Sequence, residues 1–194
     1  MSRIFSRALA AAMVLMLAAC VSTGQLVPAR SGIPVFDLQL DSQLDWSRTK
    51  LPREEIWTID GVFLNRFLVY SGVKPGEHVF LAGHERSRRP DGPWFRPGMR
   101  PDEIRDVILD ALRGSGWSNV SASNLRPARF GDVDGLRFEA AMTLSNGLLY
   151  KGMFGAVERK GKLVHFLWIA PAEYYYDRDA AAVEKMFESM RFVK

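Results

Sequence analysis

The chain reads as an α+β fold, an antiparallel sheet with two main helices packed on it. Two observations predict this. The C-terminal half alternates apolar and polar residues with a period of two between turn signals, and two segments carry apolar residues at helical spacing. Leu136 to Leu144 puts Phe138, Ala140, Met142 and Leu144 on one side. Asn146-Gly147 marks a turn, and Leu148 to Arg159 is the next strand, with Gly152 and Gly155 weakening it or marking a bulge. Lys160-Gly161-Lys162 turns again. Leu163 to Ala170 is apolar on both faces, which predicts a central strand covered on each side, and Pro171 ends it.

Pro101 to Arg113 is the clearest helix. Pro101 suits the first helical position, while Asp102 and Glu103 complement the N-terminal dipole. Ile104, Val107, Ile108, Ala111 and Leu112 form one stripe, and Gly114 is a stop. A second helix is predicted over Asp177 to Met190, burying Val183, Met186, Phe187 and Met190. Phe192 and Val193 return as a short strand. Upstream, Glu55 to Asp60 and Val62 to Tyr70 alternate as strands, and Asp60-Gly61 between them signals a two-residue hairpin. Val35, Leu38 and Leu40 begin a first strand. Gly83 to Arg100 has five arginines, three prolines and three glycines and no periodicity, so it is expected to be a long loop.

The N-terminus has a different character. Arg3 and Arg7 precede an uncharged apolar run from Ala8 to Ala19, too short to span a bilayer. Leu17-Ala18-Ala19-Cys20 closes that run and resembles the lipobox of bacterial lipoproteins. The resemblance implies that residues 1–19 are a cleaved signal peptide and that Cys20 carries the acyl chains of a membrane anchor. Val21, rather than Asp, follows the cysteine, which by that family's sorting rule implies the outer membrane, facing the periplasm. Residues 20–34, rich in small and polar residues with two prolines, are expected as a flexible tether, and 35–194 as one domain.

Without the leader, 175 residues remain, enough to bury a core without staples. Removing two of the 26 basic residues and none of the 22 acidic ones leaves a formal charge of +2, which gives no footprint for nucleic acid. Cys20 is the only cysteine, so no intrachain disulfide, thiolate metal site or thiol catalysis is available.

A second resemblance covers about ninety residues. The helix around Ile104 to Leu112, Gly116-Trp117, Asn119-Val120, Gly131 to Phe138, Tyr150-Lys151-Gly152, the Lys160-Gly161-Lys162 hairpin and the closing Phe187 to Phe192 together resemble the PsbP-like fold. That fold is shared by extrinsic photosystem proteins, a Ran-binding nuclear-transport cofactor and many bacterial envelope proteins. It implies an α/β/α sandwich and a role in binding or assembly, with no active site to carry over.

Candidate chemistry is sparse. His78 and His84 beside Glu77 and Glu85 lack metal-ligand spacing, so no metal or cofactor is expected. Asp132 and Asp134 near Gly131 and Gly135 read as hairpin chemistry. His165, mid-strand, is either a core histidine or a base working with Glu158 or Asp132. The one unusual surface feature is the loop: Arg86, Arg88, Arg89 and Arg96 with Trp94 can fork onto phosphates or carboxylates. The resulting expectation is a lipid-anchored, non-enzymatic module that binds an anionic envelope component or an envelope protein. The competing expectation is a periplasmic hydrolase built on His165 and a carboxylate.

Overall fold

A computed structural model describes residues 24–86 and 90–193. Eleven strands form two sheets: β1 (Gln25–Val27), β2 (Arg30–Val35), β3 (Leu38–Ser42), β4 (Trp46–Lys50), β5 (Glu54–Thr58), β6 (Arg66–Val73), β7 (Ser118–Phe130), β8 (Val133–Thr143), β9 (Leu149–Arg159), β10 (Lys162–Pro171) and β11 (Arg191–Phe192). The main sheet runs β1-β4-β5-β6-β10-β9-β8-β7 and the small one β11-β3-β2, all antiparallel. Helix α1 (Pro101–Gly114) lies on one face of the main sheet. Helix α2 (Asp177–Ser189) and the small sheet lie on the other. The class is as expected, but the main sheet is larger than the strands read from the sequence.

β10 shows why the covered strand was legible. Leu163, Leu167 and Ile169 enter the core under α1, while Val164, Phe166 and Trp168 enter the core under α2. Helix α1 starts as its sequence dictates, with the Glu103 carboxylate accepting the Arg100 N–H at 2.8 Å. Gly155 makes no bulge. The β9–β10 register is regular, and a Cβ at Gly155 would stand 2.3 Å from the Phe166 ring, so the glycine admits that ring.

Three expectations are corrected. The stretch expected as a tether is folded from Gln25 onward, because Val27, Ile33 and Val35 are apolar enough to be buried, and Asp45 and Asp41 accept the Ala29 and Gly32 N–H groups, both at 2.7 Å. Asp60-Gly61 is not a two-residue hairpin. Residues 59–65 form a wider loop because the buried Asn65 carboxamide accepts the Ile59 N–H at 2.7 Å and donates to Asp60 Oδ2 at 2.8 Å. Finally, β4 and β7 are strands that the alternation did not reveal. A charged residue, Arg48, fills an inward position of β4, and β7 is a largely exposed edge strand containing Pro127.

Candidate functional site

The register of the main sheet gives it two distinct ends. Gln25 pairs with Arg48, Lys50 with Glu55, Glu54 with Tyr70 and Leu163 with Val73, so the start of β1, the β4–β5 turn and the β9–β10 turn share one end. Arg66 pairs with Ile169, Tyr150 with Pro171 and Met142, and Ser118 with Thr143, so the 59–65 loop, the 144–149 turn and the C-terminus of α1 gather at the other. Two clefts flank the C-terminus of α1, and Ser115 lines both.

The larger cleft, about 590 Å³, lies between α1 and the loop after β6 and is lined by His78, Asp91, Pro93, Trp94, Asp110 and Ser115. Its loop wall is stapled down. Arg53 reaches the Glu77 carboxylate with both terminal nitrogens, at 3.0 and 2.5 Å, and also donates to the Ser71 and Gly72 carbonyls. The Lys74 N–H donates to Glu77 at 2.7 Å. Arg53 above all holds the buried Glu77 carboxyl down at about 2. His84 stands 3.6 Å from Glu77, while His78 Nδ1 accepts the Phe80 N–H at 3.0 Å and its ring meets Trp94 edge-on. Among the described residues, no three His, Cys, Asp or Glu side chains converge as a metal site.

The arginine loop is only partly gathered. Trp94 is buried against His78, Arg96 pairs with Glu85 at 2.9 Å, and Arg86 is exposed. Arg88, Arg89 and Cys20 lie outside the described residues.

His165 is placed as a core histidine. Its ring is fully buried against Tyr70 and Phe80, which also stack on each other, and Nε2 lies 2.7 Å from the Val79 carbonyl. A carbonyl can only accept, so Nε2 carries the proton. Nδ1 has no partner, and burial pushes the pKa down to about 4. Neither expected carboxylate engages it: Glu158 accepts the Gly98 N–H at 2.7 Å, and Asp132 is exposed in the β7–β8 turn. The His165–carboxylate pair required by the hydrolase reading is therefore not formed. Asp134, paired with Arg129 at 3.2 Å, is a hairpin residue as expected.

The smaller cleft, about 190 Å³, was not anticipated. Val62, Phe63, Arg66, Trp117, Leu144 and Tyr150 line it. The Tyr150 hydroxyl donates to the Phe63 carbonyl at 2.8 Å. The loop carrying Phe63 is tied down from below, where Arg178 of α2 pairs with Asp60 and Asp179. The one sequence signal was a charge inside an apolar register, Leu64-Arg66-Leu68-Tyr70 along one face of β6.

No protein-family model matches this sequence, and no curated protein is similar to it. Solved structures are similar in fold. The solution structure of cyanobacterial PsbP (CyanoP) from Synechocystis sp. PCC 6803 matches with a TM-score of 0.51 at 10% identity, over 86% of this chain and 99% of that one. A protein from Bacteroides thetaiotaomicron VPI-5482 matches at 0.45 and 10% identity over 89% of this chain, which spans about half (49%) of that one. LpqN of Mycobacterium tuberculosis, which is involved in cell envelope biogenesis, matches at 0.37 and 12% identity, over 88% of this chain and 91% of that one. The chain has an α+β fold similar to that of PsbP.

Proposed function

We propose that this protein is a lipid-tethered envelope module that binds rather than transforms its ligand, holding an anionic envelope component along the loop that follows β6. The observation that carries the reading is the stapled wall of the larger cleft: a bidentate Arg53–Glu77 pair fixes the base of the segment whose sequence carries Arg86, Arg88, Arg89 and Arg96. Anchoring the base of a charged loop limits the volume it searches, which favours recognition. The burial of His165 without a carboxylate supports binding over hydrolysis.

The tether belongs to the same proposal. Only four residues lie between Cys20 and Gln25, five Cα–Cα steps that reach at most about 18 Å when fully extended. An acylated Cys20 would hold the β1 end of the sheet at the bilayer surface and turn the Ser115 end away from it. The outer membrane, facing the periplasm, is the location proposed.

The test is co-sedimentation of the mature chain carrying Cys20→Ser with anionic phospholipid vesicles and with lipid A vesicles. Binding that weakens with salt, and is lost when Arg86, Arg88, Arg89 and Arg96 are all changed to Gln, is the expected result. Equal sedimentation of the parent and the four-arginine variant would remove the loop from the function.

A further inference from the structure

Among the described residues, twelve arginines have a carboxylate within ion-pair distance: Arg48, Arg53, Arg96, Arg100, Arg105, Arg113, Arg126, Arg129, Arg137, Arg159, Arg178 and Arg191. Three do not. Arg30 and Arg86 are exposed to water, which solvates them. Arg66 is not exposed, and among the described residues its guanidinium makes no hydrogen bond and no ion pair with a carboxylate. It lies over the Trp117 ring, 5.4 Å from the centroid. Burial lowers its pKa, and the opposing influences come from the phenols of Tyr70 and Tyr150, with no acid among them.

A half-buried cation without an anion is costly, and such groups are normally paired. Here the surroundings are those of a binding pocket. Trp117 and Tyr150 meet edge-on, with centroids 4.9 Å apart, and Leu144 and Val62 complete the apolar walls. Phe63, 78% exposed, stands at the rim, with exposed Leu148 and Leu149 on the neighbouring turn. An apolar cavity of roughly 150 Å³ takes up benzene, so 190 Å³ accommodates about one ring or short branched chain together with a carboxylate.

We infer that this cleft binds a small organic carboxylate, with Arg66 pairing its carboxylate and an aromatic or branched apolar end packing against Trp117 and Tyr150. A guanidinium offers two parallel donors to a carboxylate, and the apolar walls shield the pair from water on the sides they cover. The inference concerns a second site, independent of the arginine loop.

The experiment titrates the purified full chain with 3-phenylpropionate, following tryptophan fluorescence and confirming by calorimetry. Its neutral isostere 3-phenylpropionamide and plain acetate serve as controls. The expected result is binding of 3-phenylpropionate about 10- to 100-fold tighter than either control, a margin lost in Arg66→Met. Arg66→Met should melt no lower than the parent, since it loses a charge that nothing in the fold pairs. Phe63→Ser, an exposed change, should keep the melting temperature and weaken 3-phenylpropionate several-fold. Equal binding of acid and amide, no binding of the acid, undiminished binding in Arg66→Met, or a melting temperature of Arg66→Met well below the parent's would each overturn the inference. The last would assign Arg66 to the fold.

Discussion

Arg48 and Arg66 each lie over a tryptophan at the same 5.4 Å, Arg48 over Trp57 and Arg66 over Trp117. Burial lowers the pKa of both. They differ in what answers the charge. Arg48 faces the small sheet, with Glu55 at 3.2 Å and the Pro34 carbonyl at 3.3 Å, and that carboxylate also accepts the Trp57 indole N–H at 2.8 Å. Arg66 faces α1, beside an open cleft, with no acid. The α2 face of the sheet is closed by interlocked rings, Trp46, Trp57, Phe67, Phe166 and Phe187 among them. The α1 face stays open at one end. One arginine completes a core, and the other waits for a partner from outside.

The contrast can be broken most severely on the closed face. Arg48→Met leaves Glu55, 2% exposed, as a buried charge without its close partner, and is expected to cost about 3–5 kcal/mol in urea unfolding. A loss under about 1 kcal/mol would make the two arginines equivalent and end the comparison. Gly155→Ala pushes a Cβ into the Phe166 ring and should cost roughly 1–3 kcal/mol by the same measurement.

Acidification probes the α1 face. Folded His165 titrates at about 4, below the ordinary value of 6.5, so the unfolded chain takes up that proton first. Stability should therefore fall as pH drops from about 6.5 toward 4, and His165→Leu should flatten the slope in that window. Glu77 acts lower down. Its contribution is full above about pH 4.5 and disappears as pH falls toward 2, so Glu77→Gln should flatten only that limb. Melting temperatures across pH 2–8 for the parent and both variants separate the two effects. The smallest expected change is Arg66→Met, within about 0.5 kcal/mol of the parent or slightly more stable.

How much of this was legible follows the hydrophobic pattern. β8, β9, β10 and both helices were readable because each buries one apolar stripe, or two in β9 and β10. β4 hid its inward position behind Arg48, whose burial depends on Glu55 in the next strand. β7 exposes most of its length, so it carries no stripe. The 59–65 loop looked like a tight hairpin because the decisive group is a side chain, Asn65, that satisfies the loop backbone. For the candidate sites, the arginine loop announced itself by composition. The Arg66 cleft did not, since what marks it is a missing carboxylate, and the absence of a spatial neighbour is not written in a linear sequence.

The measurement closest to the central claim is the intact mass of the native protein, with membrane fractionation, beside a Cys20→Ala variant. A mass matching residues 20–194 plus acyl chains, in the membrane fraction and lost with the cysteine, is the predicted result. An unacylated chain recovered as soluble protein in both cases would contradict the tether and the outer-membrane location that follows from it.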